Sequence, residues 1–237
     1  DAKKARQIVD DCLSSGKKIL GEYDGADLLE CYGFKMCAMK LAQTSKEAGQ
    51  IADELGYPVV LKIFSQQILH KSDAGGVKVN LKTRQDVQDG FTEILENAIT
   101  YAPDAEIDGI LVQKMSSPGE EVILGVNRYP GFGHLLMFGF GGIYVELFKN
   151  VVFRLAPIGR NTARRMIRSI KGYEMLTGFR GKPKADIEEI ERLLVGLSHL
   201  VTDNPEIKEL DINPLFVHEE EAGATVADII ITLEPDD

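Results

Sequence analysis

His70, Lys62 and the pair Gly75-Gly76 fall within one stretch, Val59 to Val79, and together they are equipped for phosphoryl chemistry. Lys62 supplies a compact positive charge, and the imidazole of His70 is a phosphoryl acceptor or proton carrier. The glycine pair lets backbone N–H groups approach phosphate oxygens with no side chain in the way. The same residues also read as a plain hairpin with a mobile polar loop, and Gly-Gly alone does not decide between the two. A second group is Asp211 and Asn213, two residues apart and so on one face of a strand, with Pro214 ending that strand. Asp228, in Val226-Ala227-Asp228-Ile229, could oppose Asn213 across a hairpin. Hard oxygen ligands on neighbouring strands suit Mg²⁺, with substrate phosphates completing its octahedron; as strand-end turn residues the same side chains would need no metal. A third group is Gln113-Lys114-Met115 followed by Glu121, where a strand running into a turn offers backbone groups to a flat heterocycle. A fourth, Met137 to Gly142 with Glu146 and Arg154 after it, is glycine-rich and reads equally as a tight turn.

Those groups need elements to hold them. Val59 to Ile63 is a nearly continuous apolar run after Gly56-Tyr57-Pro58, which predicts a buried strand, and Val77 to Leu81 alternates, which predicts a strand with one wet face. The pattern predicts helices over Ala2 to Gly21, Asp24 to Tyr32, Ser45 to Leu55, Thr83 to Tyr101, Asn161 to Ile170 and Asp186 to Thr202. Thr44 or Ser45 caps the third of these. Further strands are expected over Lys35 to Leu41, Gly109 to Met115, Glu121 to Asn127, Leu135 to Phe138, Val151 to Leu155, Ile207 to Phe216 and Ala224 to Leu233. Ser116-Ser117-Pro118-Gly119 is a turn signal and marks a subdomain boundary. The expected division is therefore residues 1–113 and residues 114–237. The mixture is α+β or α/β, with antiparallel hairpins in the second half.

A chain of 237 residues with 44% hydrophobic and 27% charged residues has an ordinary globular balance. It has no apolar run of membrane-spanning length, and its first residues are too charged for a signal peptide. Cys12, Cys31 and Cys37 do not pair as C-x-x-C, which argues against a zinc site or disulfide framework and fits a reducing cytoplasm. The net charge of −10 is unevenly spread. Lys149 to Lys184 holds ten Lys/Arg against Glu174 alone, whereas Ala185 onward holds fifteen Asp/Glu against Arg192 and Lys208. Such a chain is a poor nucleic-acid binder; its basic segment suits a smaller anion or an acidic partner face, or is simply a solvated helix. Neither a G-x-x-x-x-G-K-[ST] loop nor a strand-borne G-x-G-x-x-G is present, and His134, His199 and His218 have no metal-like spacing.

Seven stretches in order are YGFKMC, ELGYPVVLKI, HKSDAGGVKVNL, GILVQKMSSPGEEVILGV, FGFGGIYVELFKNVVFRLAPI, GFRGKPKAD and ELDINPL. In that order they resemble the β subunits of the ADP-forming acetyl-CoA synthetases, relatives of succinyl-CoA synthetase, over about residues 25 to 233. The resemblance implies an ATP-grasp fold of class α+β, two lobes gripping a nucleotide. It implies the reversible conversion of acyl-CoA, ADP and phosphate to acid, ATP and CoA, with ATP/ADP and Mg²⁺ as cofactors. It implies that Lys62 contacts nucleotide phosphate and that His70 is a phosphohistidine on a mobile loop continuing through Lys71 and Ser72. Gln113, Lys114 and Met115 would form the adenine hinge, Glu121 would contact nucleotide, and Asn213 and Asp228, with Asp211 beside them, would hold the metal. An arginine that many relatives carry soon after the last aspartate is replaced here by Ile229-Ile230-Ile231. CoA would be bound mainly by a separate α subunit in a hetero-oligomer, expected to be α2β2. Two other readings are a different ATP-grasp carboxylate ligase and a non-catalytic nucleotide-binding partner subunit.

Overall fold

The computed structural model describes residues 1–68, 70–142 and 150–234. The chain divides into two compact units, a small one of Cys37–Ser116 and a large one of Asp1–Met36 with Ser117–Asp237. The expected single cut at 113/114 lies close to one of the two observed crossings, but the first 36 residues belong with the second half of the chain.

The chain begins in the large unit with α1 (Ala2–Ser14), β1 (Ile19–Leu20) and α2 (Glu22–Glu30). Here the helix expected to reach Gly21 stops early, because Ile19 and Leu20 leave it to pair with Thr232 and Ile231 at a sheet edge. Arg6 bonds the Glu206 carboxylate through both terminal nitrogens at 2.8 Å, tying α1 to the C-terminal half. The strand expected over Lys35 to Leu41 is divided between the units. Met36 bridges Val226 of the large unit, whereas pairing with the small unit starts at Met39.

The small unit comprises β2 (Met39–Ala42), α3 (Ser45–Leu55), β3 (Val59–Phe64), β4 (Val77–Leu81), α4 (Arg84–Tyr101) and β5 (Gly109–Lys114). Its antiparallel sheet has the order β2-β5-β3-β4. Thr44 caps α3, and Thr83 forms a reciprocal capping box with Asp86 at the start of α4, satisfying first-turn N–H groups that no helical carbonyl reaches. Ala48, Ile51, Val87, Phe91, Ile94 and Ala98 from the helices meet Val59, Leu61, Ile63, Ile110 and Val112 in one core. Burial of this apolar surface is the main stabilising term of the unit.

Returning to the large unit, the chain forms β6 (Glu120–Tyr129), β7 (Gly133–Phe140), β8 (Val151–Leu155), α5 (Arg160–Arg168), α6 (Ile187–Asp203), β9 (Ile207–Val217), β10 (Ala224–Val226) and β11 (Ile229–Leu233). The antiparallel sheet runs β1-β11-β9-β6-β7-β8, with β10 also on β9. Residues alternate between its two faces along each strand, with a register shift between Val122 and Leu124. Leu124, Val126, Leu136, Phe138, Leu210, Ile212, Ile229 and Ile231 are buried on the helical side. Glu121, Asp211 and Asn213 are exposed on the other.

Candidate functional site

In the small unit the central strand β3 carries Lys62 between Leu61 and Ile63, and the lysine itself is only 6% exposed. Its register partners are Leu111 on β5 and Val77 on β4. One residue pair along, Gln113, 2% exposed, stands opposite Val60 and Met39. Lys62, Leu111 and Gln113 therefore share the sheet face turned away from α3 and α4. Placing a cation and an amide at the centre of a sheet costs desolvation energy, which a purely structural strand would avoid with apolar residues.

At the strand end, the Lys114 ammonium donates to the carbonyls of Gly56 and Tyr57 at 2.9 and 3.0 Å. The N–H of Lys114 donates to Ala38 O and that of Met115 to Pro58 O. Of the backbone groups of this segment, the N–H groups of these two residues are thus taken within the unit. Facing outward here is the partly exposed side chain of Met115.

His70 is exposed, as are Ser72 and Asp73, while Lys71 is partly covered. The segment around them is less free than a polar loop. Ile68 and Ala74, 2% and 3% exposed, are both seated in the core. The Gly75 N–H donates to Ser72 O and the Gly76 N–H to Lys71 O, so the glycine pair closes a turn and does not hold its N–H groups open for phosphate. Both glycines are required by close approach: a Cβ on Gly75 would stand 2.8 Å from Asn97 Nδ2, and one on Gly76 2.5 Å from Ile63 Cγ2.

In the large unit the register places Ile230 opposite Asp211, and the Asn213 N–H donates to Asp228 O at 3.2 Å. Asp228 thus opposes Asn213, as the hairpin pattern requires, and lies on the face of Asp211 and Asn213. The surrounding protein pushes the Asp211 carboxyl above its ordinary range, and the like charge of Glu209 adds to this, although the side chain stays in reach of solvent. Glu121 lies on the same face, two strands from Asp228. Its backbone carbonyl accepts from Gly141 N–H at 2.8 Å, and a Cβ on Gly142 would stand 2.9 Å from its Oε2. The glycine-rich motif therefore has a concrete role at its described end, which is to leave room for the Glu121 carboxylate. Glu146 lies outside the described residues.

Among the described residues, no group of three His, Cys, Asp or Glu side chains is placed to hold a metal ion by itself. Two carboxylates and an amide on one sheet face fit Mg²⁺, which keeps its waters and phosphate oxygens and asks for only one or two protein carboxylates. His134 is buried with Nε2 2.7 Å from Ile207 O, and His218 Nε2 lies 2.9 Å from Thr225 Oγ1, so both are engaged within the fold. His199 is exposed.

The basic run is corrected in part. Arg160 binds Glu188 and Glu191, Arg164 binds Glu191, Lys182 binds Glu120, and Lys184 binds Glu220. Much of the charge asymmetry seen along the sequence is neutralised across space. Among the described residues Arg154, Arg165, Arg168, Lys171 and Arg180 enter no ion pair; Lys149 lies outside them. Sequence reasoning missed Glu191 and Asn97. Both sit in helices, where an acid or an amide is unremarkable until its partner is known.

Two α+β units, each built on an antiparallel sheet, set the class of fold. The chain belongs to the ATP-grasp domain family, which it matches over residues 11–233, and within it to the β subunits of the ADP-forming acetate–CoA ligases. It is 47% identical to the acetate–CoA ligase (ADP-forming) II subunit β of Pyrococcus furiosus, over 98% of each chain. It is 44% identical to acetate–CoA ligase (ADP-forming) I of Archaeoglobus fulgidus over 98% of this chain and 33% of that longer one. A solved acetyl-coenzyme A synthetase 1 from Candidatus Korarchaeum cryptofilum superposes with a TM-score of 0.82 at 39% identity, over 97% of this chain and 100% of that one. That protein is in complex with coenzyme A and Mg-AMPPCP, its phosphohistidine segment pointing towards the nucleotide-binding site. No helix among the described residues is long and apolar enough to cross a membrane.

Proposed function

We propose that this chain carries out the nucleotide half of ADP-forming acyl-CoA synthesis, relaying phosphate through His70. The overall reaction is acyl-CoA, ADP and phosphate to acid, ATP and CoA. The observation that carries the reading is an exposed histidine on a turn anchored to the same four-stranded sheet that buries Lys62 and Gln113. In the direction of ATP synthesis, an oxygen of the ADP β-phosphate attacks the phosphorus on His70. The P–N bond breaks, a P–O bond forms, and the imidazole leaves with its nitrogen lone pair restored. Lys62 neutralises phosphate charge, and Gln113 with the strand end around Met115 positions the base. Glu121 contacts the nucleotide. Asp211, Asn213 and Asp228 would hold Mg²⁺, which when bound neutralises charge on the phosphate oxygens. Lys71 and Ser72 flank the phosphorylated imidazole.

The partner is a CoA-binding α subunit, with α2β2 as the assembly and the cytoplasm as the compartment; native mass of the purified complex tests the stoichiometry. The chain is incubated with its partner, ATP and Mg²⁺ and assayed for acid-labile, base-stable phosphate. Label on His70 is expected. His70→Ala should lose net ATP synthesis while the partner is still phosphorylated from acyl-CoA and phosphate. Normal overall turnover by His70→Ala would sink the relay.

A further inference from the structure

We propose that Asn97 is a positioning residue, the latch that holds the His70 segment docked on its sheet, and that Ile68 and Ala74 are the seats it must vacate before His70 travels. This rests on the reading of His70 as a phosphoryl carrier. The segment stands on two feet. At the first, Ser65 Oγ donates to Glu106 O at 2.7 Å, Gln67 N–H donates to Ser65 Oγ at 3.2 Å, and Gln67 Oε1 accepts from Glu106 N–H at 2.6 Å. The next residue, Ile68, enters the core. At the second foot Ala74 enters the same core, and Ile63 N–H donates to Gly76 O at 2.8 Å.

Asn97 acts on this second foot. It lies on α4, one residue before buried Ala98 and three after buried Ile94, so packing of the helix fixes its position. Its Nδ2 donates to Gly75 O at 3.1 Å, from a partly buried site. Gly75 has a φ of +60° and no Cβ, and any side chain there would meet the Asn97 amide. The latch and the glycine are thus one fitted contact between helix and turn.

The two feet set how far the histidine can move. His70 is two residues from Ile68, and an extended chain spans at most about 3.5 Å per residue. With Ile68 seated, the His70 Cα stays within about 7 Å of the Ile68 Cα. Any longer excursion toward a second site requires Ile68 to leave the core, and Ala74 to follow if the turn is to open. Docking is therefore a two-state equilibrium that the Asn97 hydrogen bond biases.

The test uses the full chain in complex with its partner, as wild type, Asn97→Ala and the isosteric Asn97→Asp, which removes the donor without a cavity. Amide hydrogen exchange is followed over residues 70–76 and over α4. A hydrogen bond of ordinary net strength predicts roughly two- to tenfold faster exchange at Gly75 and Gly76 in both variants, with α4 unchanged. Ile68→Ala should accelerate the same amides from the other foot. Unchanged exchange at Gly75 and Gly76 in Asn97→Asp would overturn the latch, and so would acceleration spread equally over α4 and the sheet. Phosphate labelling of wild-type His70 is scored separately, so that faster exchange with no label would leave the latch standing and remove the carrier reading.

Discussion

At the scale of single residues, Asn213 separates a metal site from a strand end. Its side chain is exposed, so the fold does not need it, and its backbone bond to Asp228 survives substitution. Asn213→Ala should keep its far-UV spectrum and melting temperature while ATP-dependent labelling of His70 slows on the order of 100-fold, the usual cost of losing a preorganised charge-stabilising contact. Wild-type labelling rates at ordinary Mg²⁺ would return Asn213 to the role of a turn residue. Lys62 is the complementary case. It is buried, so Lys62→Met, which conserves much of the volume, should fold and yet lose nucleotide-dependent labelling by a comparable factor. Retained labelling would show that its charge is not used on phosphate.

At the scale of elements, the ion pairs between α5 and α6 make a stability prediction. Glu191 is only 4% exposed at its side chain and receives Arg164 at 2.7 and 3.0 Å and Arg160 at 3.0 Å. The Arg164 guanidinium, then Arg160, hold its carboxyl below the ordinary range against the opposing effect of burial. A depressed folded-state pKa contributes stability that is fully present above the unfolded value and is lost as pH falls through the folded one. Urea unfolding should therefore show this stability at neutral pH and lose it progressively below about pH 4.3. Both arginines are substantially exposed, 59% and 42%, so solvent screens the pairs. Glu191→Gln should cost about 1–2 kcal/mol at pH 7 and should flatten the acid limb. An unchanged acid limb would show that the pairs contribute nothing.

At the scale of the whole molecule, the net charge of −10 coexists with a basic remainder of five residues, Arg154, Arg165, Arg168, Lys171 and Arg180. These are the candidates to meet an acidic face of the α subunit or the phosphates of its CoA. Association should weaken steeply as salt is raised, and Arg165→Glu with Arg168→Glu should slow it roughly tenfold at low salt. A salt-independent association constant would exclude this surface. Three carboxylates of the acidic C-terminal stretch, Glu188, Glu191 and Glu220, pair with Arg160, Arg164 and Lys184 and not with these five.

Local pattern determined much of this protein. The core helices with Thr44 and Thr83 as caps, the buried strand of Lys62, and the shared face of Asp211 and Asn213 all follow from periods of 3.6 and 2 and from capping chemistry, which are short-range. The seven ordered motifs carried the family for the same reason, since each is a contiguous run. Only tertiary structure decided what depends on residues far apart in the chain. Ile19 and Leu20 pair with the last strand, the first 36 residues belong to the large unit, and the run from Lys35 to Leu41 is divided between the two units. The basic segment is partly cancelled by acids from elsewhere. The loop of His70 is anchored by Ile68, Ala74 and Asn97, the last of these 27 residues from the histidine it positions. Periodicity reports which face of an element is apolar, but not which neighbour will cover it, and a hydrogen bond from Asn97 to Gly75 leaves no local pattern to read.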